Sequence, residues 1–227
     1  MISDLKMGFK ILKFGHGRIV NLAGSMIAIL LGVFMCGISV VLSGSFPSTL
    51  PGGYFFMMAE VFVIQLYYSV NISNMVQASP AKKRLMTSVP TALSTFCILM
   101  GYGVTLLCTG VVSCFRPEML KAACMQIVFT AGVMGVVLIY SGVVYKYFVV
   151  GTVLFFAAFL SFYAGYSHSE AWISGIFGSG WKAFGLTAVS GLALILICSF
   201  LEYLLFLAFY KAPMAKMAQN VSLRRQL

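Results

Sequence analysis

Charged residues are scarce in this sequence. Only 9% of its 227 residues are Asp, Glu, Lys or Arg, and the acids number five. Soluble domains carry about 25% charged residues, so this composition excludes an ordinary soluble protein. Hydrophobic residues make up 61% of the chain instead. We therefore predict an all-α polytopic integral membrane protein. Residues 1–227 should form a single transmembrane domain, because no hydrophilic stretch is long enough to fold as a second one.

Sequence motifs for catalysis are also missing. The chain has no G-x-x-x-x-G-K-[ST] phosphate loop, no H-E-x-x-H and no G-x-S-x-G. We therefore expect no catalytic site, no metal and no cofactor in this chain. The two histidines, His16 and His168, are predicted on opposite membrane faces and cannot share a metal ion. Cys114 and Cys124 flank a short polar loop and could pair if that loop faces an oxidising space.

Six apolar stretches are each long enough to cross a membrane as a helix, which takes about 20 residues. The run from 122 to 166 is too long for one span. We divide it at Ser141-Gly142 and place Tyr140, Tyr145, Lys146 and Tyr147 in an interfacial turn. The six predicted spans cover about residues 19–43, 54–76, 88–113, 120–141, 147–166 and 183–210.

Basic residues are distributed unevenly about these spans. With the N-terminus inside, twelve of the fifteen Lys and Arg fall in the inner segments, and three, Arg116, Lys121 and Lys182, in the outer ones. The positive-inside rule then places both termini in the cytoplasm. The net charge of +10 does not indicate nucleic acid as a partner, because the basic residues punctuate apolar runs. An anionic lipid bilayer accounts for them better.

The first 18 residues predict an interfacial helix. Lys6, Lys10 and Lys13 are spaced i, i+4, i+7 and form one narrow polar stripe, while apolar residues fill much of the remaining circumference. Such a helix lies in the headgroup plane with its lysines toward lipid phosphates. A frayed tail is the alternative.

A second short helix is predicted over residues 167–178, on the outer side before the sixth span. Ser167 and Glu170 form an S-x-x-E capping box. An apolar face follows, and Gly178 is a natural stop.

The stretch SPAKKRL between the second and third spans is the densest cluster of positive charge in the chain. Ser79 is a good helix N-cap, and Pro80 fits the first helical position, where its missing N–H is not needed. We predict a short helix over residues 79–88, across the inner ends of both spans. It is either a basic connection that obeys the positive-inside rule or a rigid element through which a cytosolic partner moves them. The candidate contact residues are Ser79, Pro80, Ala81, Lys82, Lys83, Arg84 and Leu85.

Polar side chains inside the predicted spans form a second candidate site. Ionisable residues at this depth are expensive unless paired or hydrated, and so mark functional positions. The set comprises Glu60, Gln65, Asn71, Asn74 and Glu202. These residues either hydrogen-bond neighbouring helices or line a path or a dimer seam along the second span. By depth Glu60 lies toward the outer side and Glu202 toward the inner side. The expected partners of Glu60 are therefore the outer cations Lys182, Lys121 and Arg116.

The order of these elements resembles a known family. It combines an N-terminal interfacial helix (DLKMGFKILKFGHG), six spans, SPAKKRL between spans two and three, and a short helix before span six. This order is similar to the permease subunits of type-2 ABC exporters, in particular the small bacterial permeases that export peptides or confer self-protection against them. The resemblance covers the whole chain. The short outer loops and the absence of a large extracellular domain between spans one and two depart from it.

The resemblance implies a function. The chain would be the membrane subunit of an exporter that moves a peptide or another amphipathic substrate across the bacterial cytoplasmic membrane. Separately encoded ATPase subunits would bind ATP and Mg and contact Ser79–Leu85. A second permease, identical or a sister chain, would complete the assembly. Two alternatives stay open: a secondary transporter or channel, and a non-transporting immunity or scaffold protein.

Overall fold

The apolar stretches of the chain fold into helices, because backbone in lipid must satisfy its own hydrogen bonds. A computed structural model describes residues 2–14, 18–42, 52–71, 76, 78–166, 176, 180–213 and 215–216. Over these residues the regular structure is helical and contains no strand, which confirms the all-α prediction. The helices are α1 (Ile2–Leu12), α2 (Arg18–Leu42), α3 (Gly53–Asn71), α4 (Lys82–Met86), α5 (Ser88–Phe115), α6 (Leu120–Val144), α7 (Phe148–Tyr166) and α8 (Gly180–Phe209).

Five of these helices are long and apolar enough to cross a membrane, namely α2, α3, α5, α6 and α8. The helix α7 is also apolar, but only a shorter stretch of it, Phe148–Ser161, meets the same description. By length and composition the chain is therefore a multi-pass membrane protein. The outer helix predicted over 167–178 lies outside the described residues, apart from Ile176.

The helix α6 lies at the centre of the bundle. It packs against α3, α5, α7 and α8, and 72% of its apolar stretch is buried. A helix that is hydrophobic all round belongs in such a position. Small residues let α8 approach closely: a Cβ atom added at Gly142 would lie 2.8 Å from Cβ of Leu205. Glycine therefore sets the α6–α8 spacing, as small residues do at helix interfaces in membranes.

This contact explains the role of Ser141-Gly142. The predicted division at this pair is wrong, because α6 continues through both residues to Val144. The turn lies at 145–147, within the residues predicted for it, and the backbone N–H of Lys146 and that of Tyr147 both donate to the carbonyl of Val143. Gly142 serves packing against α8 here and does not break the helix.

The helix α3 begins deep in the bundle, well along α6 from its first residue. A Cβ atom added at Gly53, its first residue, would lie 2.7 Å from Oγ1 of Thr130. Thr130 is ten residues into α6, or about 15 Å along the helix. Phe56, one turn further on, contacts Gly32 of α2 and Gly101 of α5. Every residue of α3 therefore lies deeper in the bundle, measured from the start of α6, than its distance from the start of α3 suggests.

Candidate functional site

The helix α4 is shorter than the predicted helix over 79–88. Its five residues follow Ala81 as N-cap and end before Thr87, whose φ of −124° and ψ of −77° are not helical. Ser79 was expected at the N-cap, but it shapes the preceding turn instead. Its Oγ accepts a hydrogen bond of 3.2 Å from the N–H of Ala81. Its carbonyl accepts one of 3.0 Å from the N–H of Lys82.

One face of α4 is fixed in the protein interior. Leu85 and Met86 are buried, and they belong to an apolar cluster that includes Leu12 of α1 and Phe206 of α8. The cluster also takes in residues of α3, α5 and α6. Burying two such side chains stabilises the position of α4 by roughly 3–6 kcal/mol. The short helix is therefore held against the ends of several long helices.

The other face of α4 is basic and also makes contacts. The Nε of Arg84 donates to Oδ1 of Asp4 at 2.5 Å, and its Nη2 donates to Oγ of Ser3 at 2.8 Å. Both partners belong to α1. The Nζ of Lys83 lies 6.0 Å from the ring centroid of Tyr210, which directly follows α8. The SPAKKRL stretch thus joins α1, α5 and the end of α8.

The remaining residues of this predicted contact face lie at the surface. Pro80 and Lys83 are exposed, while Ser79, Ala81 and Lys82 are half-buried. The three lysines of α1's predicted polar stripe, Lys6, Lys10 and Lys13, are exposed as well. A molecule that approached the exposed face of α4 would meet a basic surface.

A polar cluster lies within the apolar bundle, and Glu60 of α3 and Glu202 of α8 are its acids. Both carboxyl side chains are fully buried. The side chain of Ser94 on α5 faces both of them. The sequence placed the two acids at different depths, yet the fold brings them to one layer between α3, α5 and α8. The deep entry of α3 is the reason.

Hydroxyl groups hold Glu202 in this layer. The Ser141 hydroxyl of α6 lies 2.5 Å from Oε1 of Glu202 and donates to it. The Tyr68 hydroxyl of α3 in turn donates to the backbone carbonyl of Ser141. Thr95 of α5 and Ser199 of α8 are joined by a further hydroxyl–hydroxyl hydrogen bond. Four long helices are therefore linked by buried hydrogen bonds.

Glu60 is held differently. Neither of its carboxyl oxygens has a hydrogen-bond partner among the described residues, and the same is true of Oε2 of Glu202. Glu60 lines a cavity of about 40 Å³ together with Gln65, Tyr68, Tyr140 and Ser141. A water needs roughly 10–15 Å³ of such space, so about three waters fit. The polar groups on the cavity wall are suited to hold them.

The expected pairing of Glu60 with an outer cation is wrong. Lys182 lies twenty residues before Glu202 on α8, or about 30 Å along the helix. Glu60 lies in the layer of Glu202, far from that end. Its oxygens also have no hydrogen-bond partner within the described part of the chain.

Of the other predicted polar residues, one lines the cavity and two have side chains outside the described part of the chain. Gln65 lines the cavity beside Glu60. Asn71 ends α3, but its side chain and all of Asn74 lie outside what the structure describes. Cys114 is exposed, Cys124 is buried, and both are free thiols.

The sequence interpretation missed the hydroxyl residues that complete the cluster. These are Tyr68, Ser94, Thr95, Ser141 and Ser199. Single hydroxyls in apolar runs are ordinary in membrane helices, because they can bond to the carbonyl one turn earlier. Ser94 does so, donating to the carbonyl of Pro90 at 2.9 Å. A usable signal was Gly142 beside Ser141, since a small residue marks where another helix comes close.

Known proteins give no further guide to this site. No family model matches the chain, and neither the curated proteins nor the solved structures compared with it give a match.

Proposed function

We propose that this chain is the transmembrane permease subunit of an ATP-binding-cassette exporter in the bacterial cytoplasmic membrane. It has six spans, with α7 as the fifth, and both termini lie in the cytoplasm. It works with a second permease, identical or a sister chain. Cytosolic ATPase subunits bind ATP and Mg and contact SPAKKRL. The substrate is a peptide or another amphipathic molecule.

One observation carries this proposal: α4 is anchored to several helices at once. A connection that only satisfied the positive-inside rule would need no such anchoring. Here Leu85 and Met86 are buried, and Arg84 bonds to α1. Force applied to the exposed face of α4 passes directly to α5, which begins at Ser88, and through Arg84 to α1.

A force on α4 would act on the hydrogen bonds of the buried polar layer. Ser94 and Thr95 lie on α5, within two turns of its start. Thr95 contacts Ser199 of α8, and Ser94 faces both carboxyl groups. A shift of α5 along α8 would exchange these hydrogen bonds for others. Buried polar contacts of this kind suit an element with two discrete positions.

Crosslinking combined with hydrolysis tests the proposal. The tagged full chain is isolated from its native membranes with its partners, and ATP hydrolysis by the complex is measured. We expect a photocrosslinker at position 83 to label a protein with a phosphate loop. Charge reversal at Lys82 and Lys83 should abolish substrate-stimulated hydrolysis while the chain still inserts. Lys6→Glu with Lys10→Glu makes the same charge change elsewhere on this side and serves as the control. Unchanged hydrolysis in the α4 variant would contradict the proposal.

A second candidate is an ion-coupled secondary transporter. The observation in its favour is Glu60, a buried carboxyl group that faces a water-sized cavity. Ionisable residues inside spans often belong to ion pathways. Transport that continues in reconstituted vesicles without any ATPase, and stops in Glu60→Gln, would favour this candidate.

A further inference from the structure

A groove opens between α1, α2, α3 and α5 on the side of the bundle away from α6. Its volume is about 750 Å³, which lies in the range of small-molecule sites. Several residues on its walls are exposed, among them Leu22, Ile29 and Met100. The groove is therefore open sideways, toward the space that lipid occupies in a membrane.

The groove is apolar along its length. Leu22 and Ile29 of α2 form one wall, Met100 and Val104 of α5 form the other, and Val63 of α3 lies at the back. Ser25 and Cys97 are the only polar uncharged residues among its described lining. An extended peptide backbone laid here would leave most of its N–H and C=O groups without partners, at a cost of several kcal/mol each. Hydrocarbon has no such requirement.

The length of the groove fits one leaflet of a bilayer. Along α2 it runs from Arg18 to Ile29, eleven residues or about 16 Å. Half of the hydrocarbon core is about 15 Å thick. One acyl chain of one leaflet would thus reach from one end of the groove to the other.

Two cations mark one end. Lys13 and Arg18 both line the groove, and both are exposed. A hydrogen bond of 3.3 Å from Nη1 of Arg18 to the carbonyl of Lys13 keeps them together. None of the described lining residues is acidic. The end therefore presents two positive charges at the level of the lipid headgroups, on the side where most basic residues of the chain lie.

We propose that this groove binds one anionic phospholipid of the leaflet on the basic side. Its phosphate lies between Lys13 and Arg18, and one acyl chain follows α2 toward Ile29. That leaflet carries negative surface charge in cells. A second copy of this chain is a poorer occupant: about a two-fold axis along the membrane normal, its own Lys13 and Arg18 would come to the same level and repel the first pair.

The proposal has a structural consequence for α1. A lipid held between Lys13 at the end of α1 and the walls of α2 and α5 would tie the interfacial helix to the bundle. The ring of Phe9, which also lines the groove, already packs edge-on against Phe96 at a centroid distance of 5.9 Å. The lipid would extend that contact along the open side.

Native mass spectrometry of the purified full chain tests the proposal. The chain is titrated with phosphatidylglycerol or with phosphatidylcholine of the same acyl length. We expect one phosphatidylglycerol per chain, bound roughly 30-fold more tightly than phosphatidylcholine, the effect of two basic residues near an anionic headgroup. Lys13→Gln with Arg18→Gln should remove this preference. Lys6→Gln with Lys10→Gln removes the same charge from exposed positions outside the groove and should leave it intact.

A second variant separates the acyl chain from the headgroup. Ile29→Trp fills the far end of the groove, and Ile29 is 43% exposed, so the bundle can accommodate the change. We expect this substitution to weaken the binding of long-chain phosphatidylglycerol but not the binding of a short-chain form with the same headgroup.

Four results would overturn the proposal. The first is equal retention of both lipids, and the second is equal loss in the Lys6/Lys10 control. The third is that free glycerol phosphate competes for the site as strongly as the lipid does, which would mean that the site binds phosphate alone. The last is retention of an amphipathic peptide, or of a second copy, in place of lipid, with that retention lost in Ile29→Trp.

Discussion

Arg84 and Glu202 each make a hydrogen bond of 2.5 Å, but their surroundings differ completely. Arg84 has 47% of its side chain exposed and pairs with Asp4 of α1. Glu202 is fully buried and accepts from Ser141. Water can replace the first bond when it breaks, so exposed pairs contribute only about 0–1 kcal/mol. It cannot readily replace the second. Breaking a buried bond leaves a polar group unsatisfied, at about 1–3 kcal/mol.

The difference suggests separate roles for the two regions. Contacts of the basic face of α4 can be exchanged at low cost, because water can take the place of each partner. The buried layer stabilises the arrangement of α3, α5, α6 and α8 seen here, and its bonds break only at a cost. Variants can measure each property separately.

The largest effect should come from closing the space between α6 and α8. In Gly142→Leu the new side chain meets Leu205, whose Cβ lies 2.8 Å from the position of an added Cβ. Overpacking of this kind destabilises by about 3 kcal/mol. Thermal unfolding in detergent should show it as a clear fall in midpoint.

Gly185→Leu is the matched control, because an added Cβ there has nothing within 4 Å and the residue is exposed on α8. It should unfold like the parent or slightly later. Equal destabilisation by both substitutions would mean that α8 does not pack on Gly142.

The second effect concerns the buried hydrogen bond. Ser141→Ala leaves Oε1 of Glu202 without its donor and should lower the free energy of unfolding by about 2 kcal/mol. Ser161→Ala removes an exposed hydroxyl of α7 that, among the described residues, donates to the carbonyl of Ala157, and it should have little effect. Adding Glu202→Met to Ser141→Ala should recover part of the loss, because the unsatisfied group is then gone. Additive losses would show that the two residues do not interact in solution.

The helical class and the basic stretch could be predicted from the sequence, but the depth at which α3 begins in the bundle could not. Hydropathy indicates where an apolar run occurs in the sequence, but it does not indicate how far into the bundle the run begins. That depth depends on Phe56 fitting between Gly32 and Gly101, a contact between three helices. The expected Glu60–Lys182 pair was wrong for this reason. Ser141-Gly142 was misread similarly, since a serine–glycine pair marks either a turn or a close helix contact, and only the neighbour decides.

The smallest stability effect should come from the exposed pair. Arg84→Gln removes the bond to Asp4, and we expect less than about 1 kcal/mol of change in unfolding, because 47% of the Arg84 side chain is exposed. Asp4→Asn should be as mild.

The more informative quantity is how tightly the ion pair couples α4 to α1. If α4 and α1 move together, a spin-label pair on Lys6→Cys and Lys83→Cys in a Cys-free background should show one narrow distance distribution. Arg84→Gln should broaden it, whereas Lys211→Gln, another exposed cation on this side, should not. A distribution that stays narrow in Arg84→Gln would mean that the buried face of α4, through Leu85 and Met86, holds the two helices together without the ion pair.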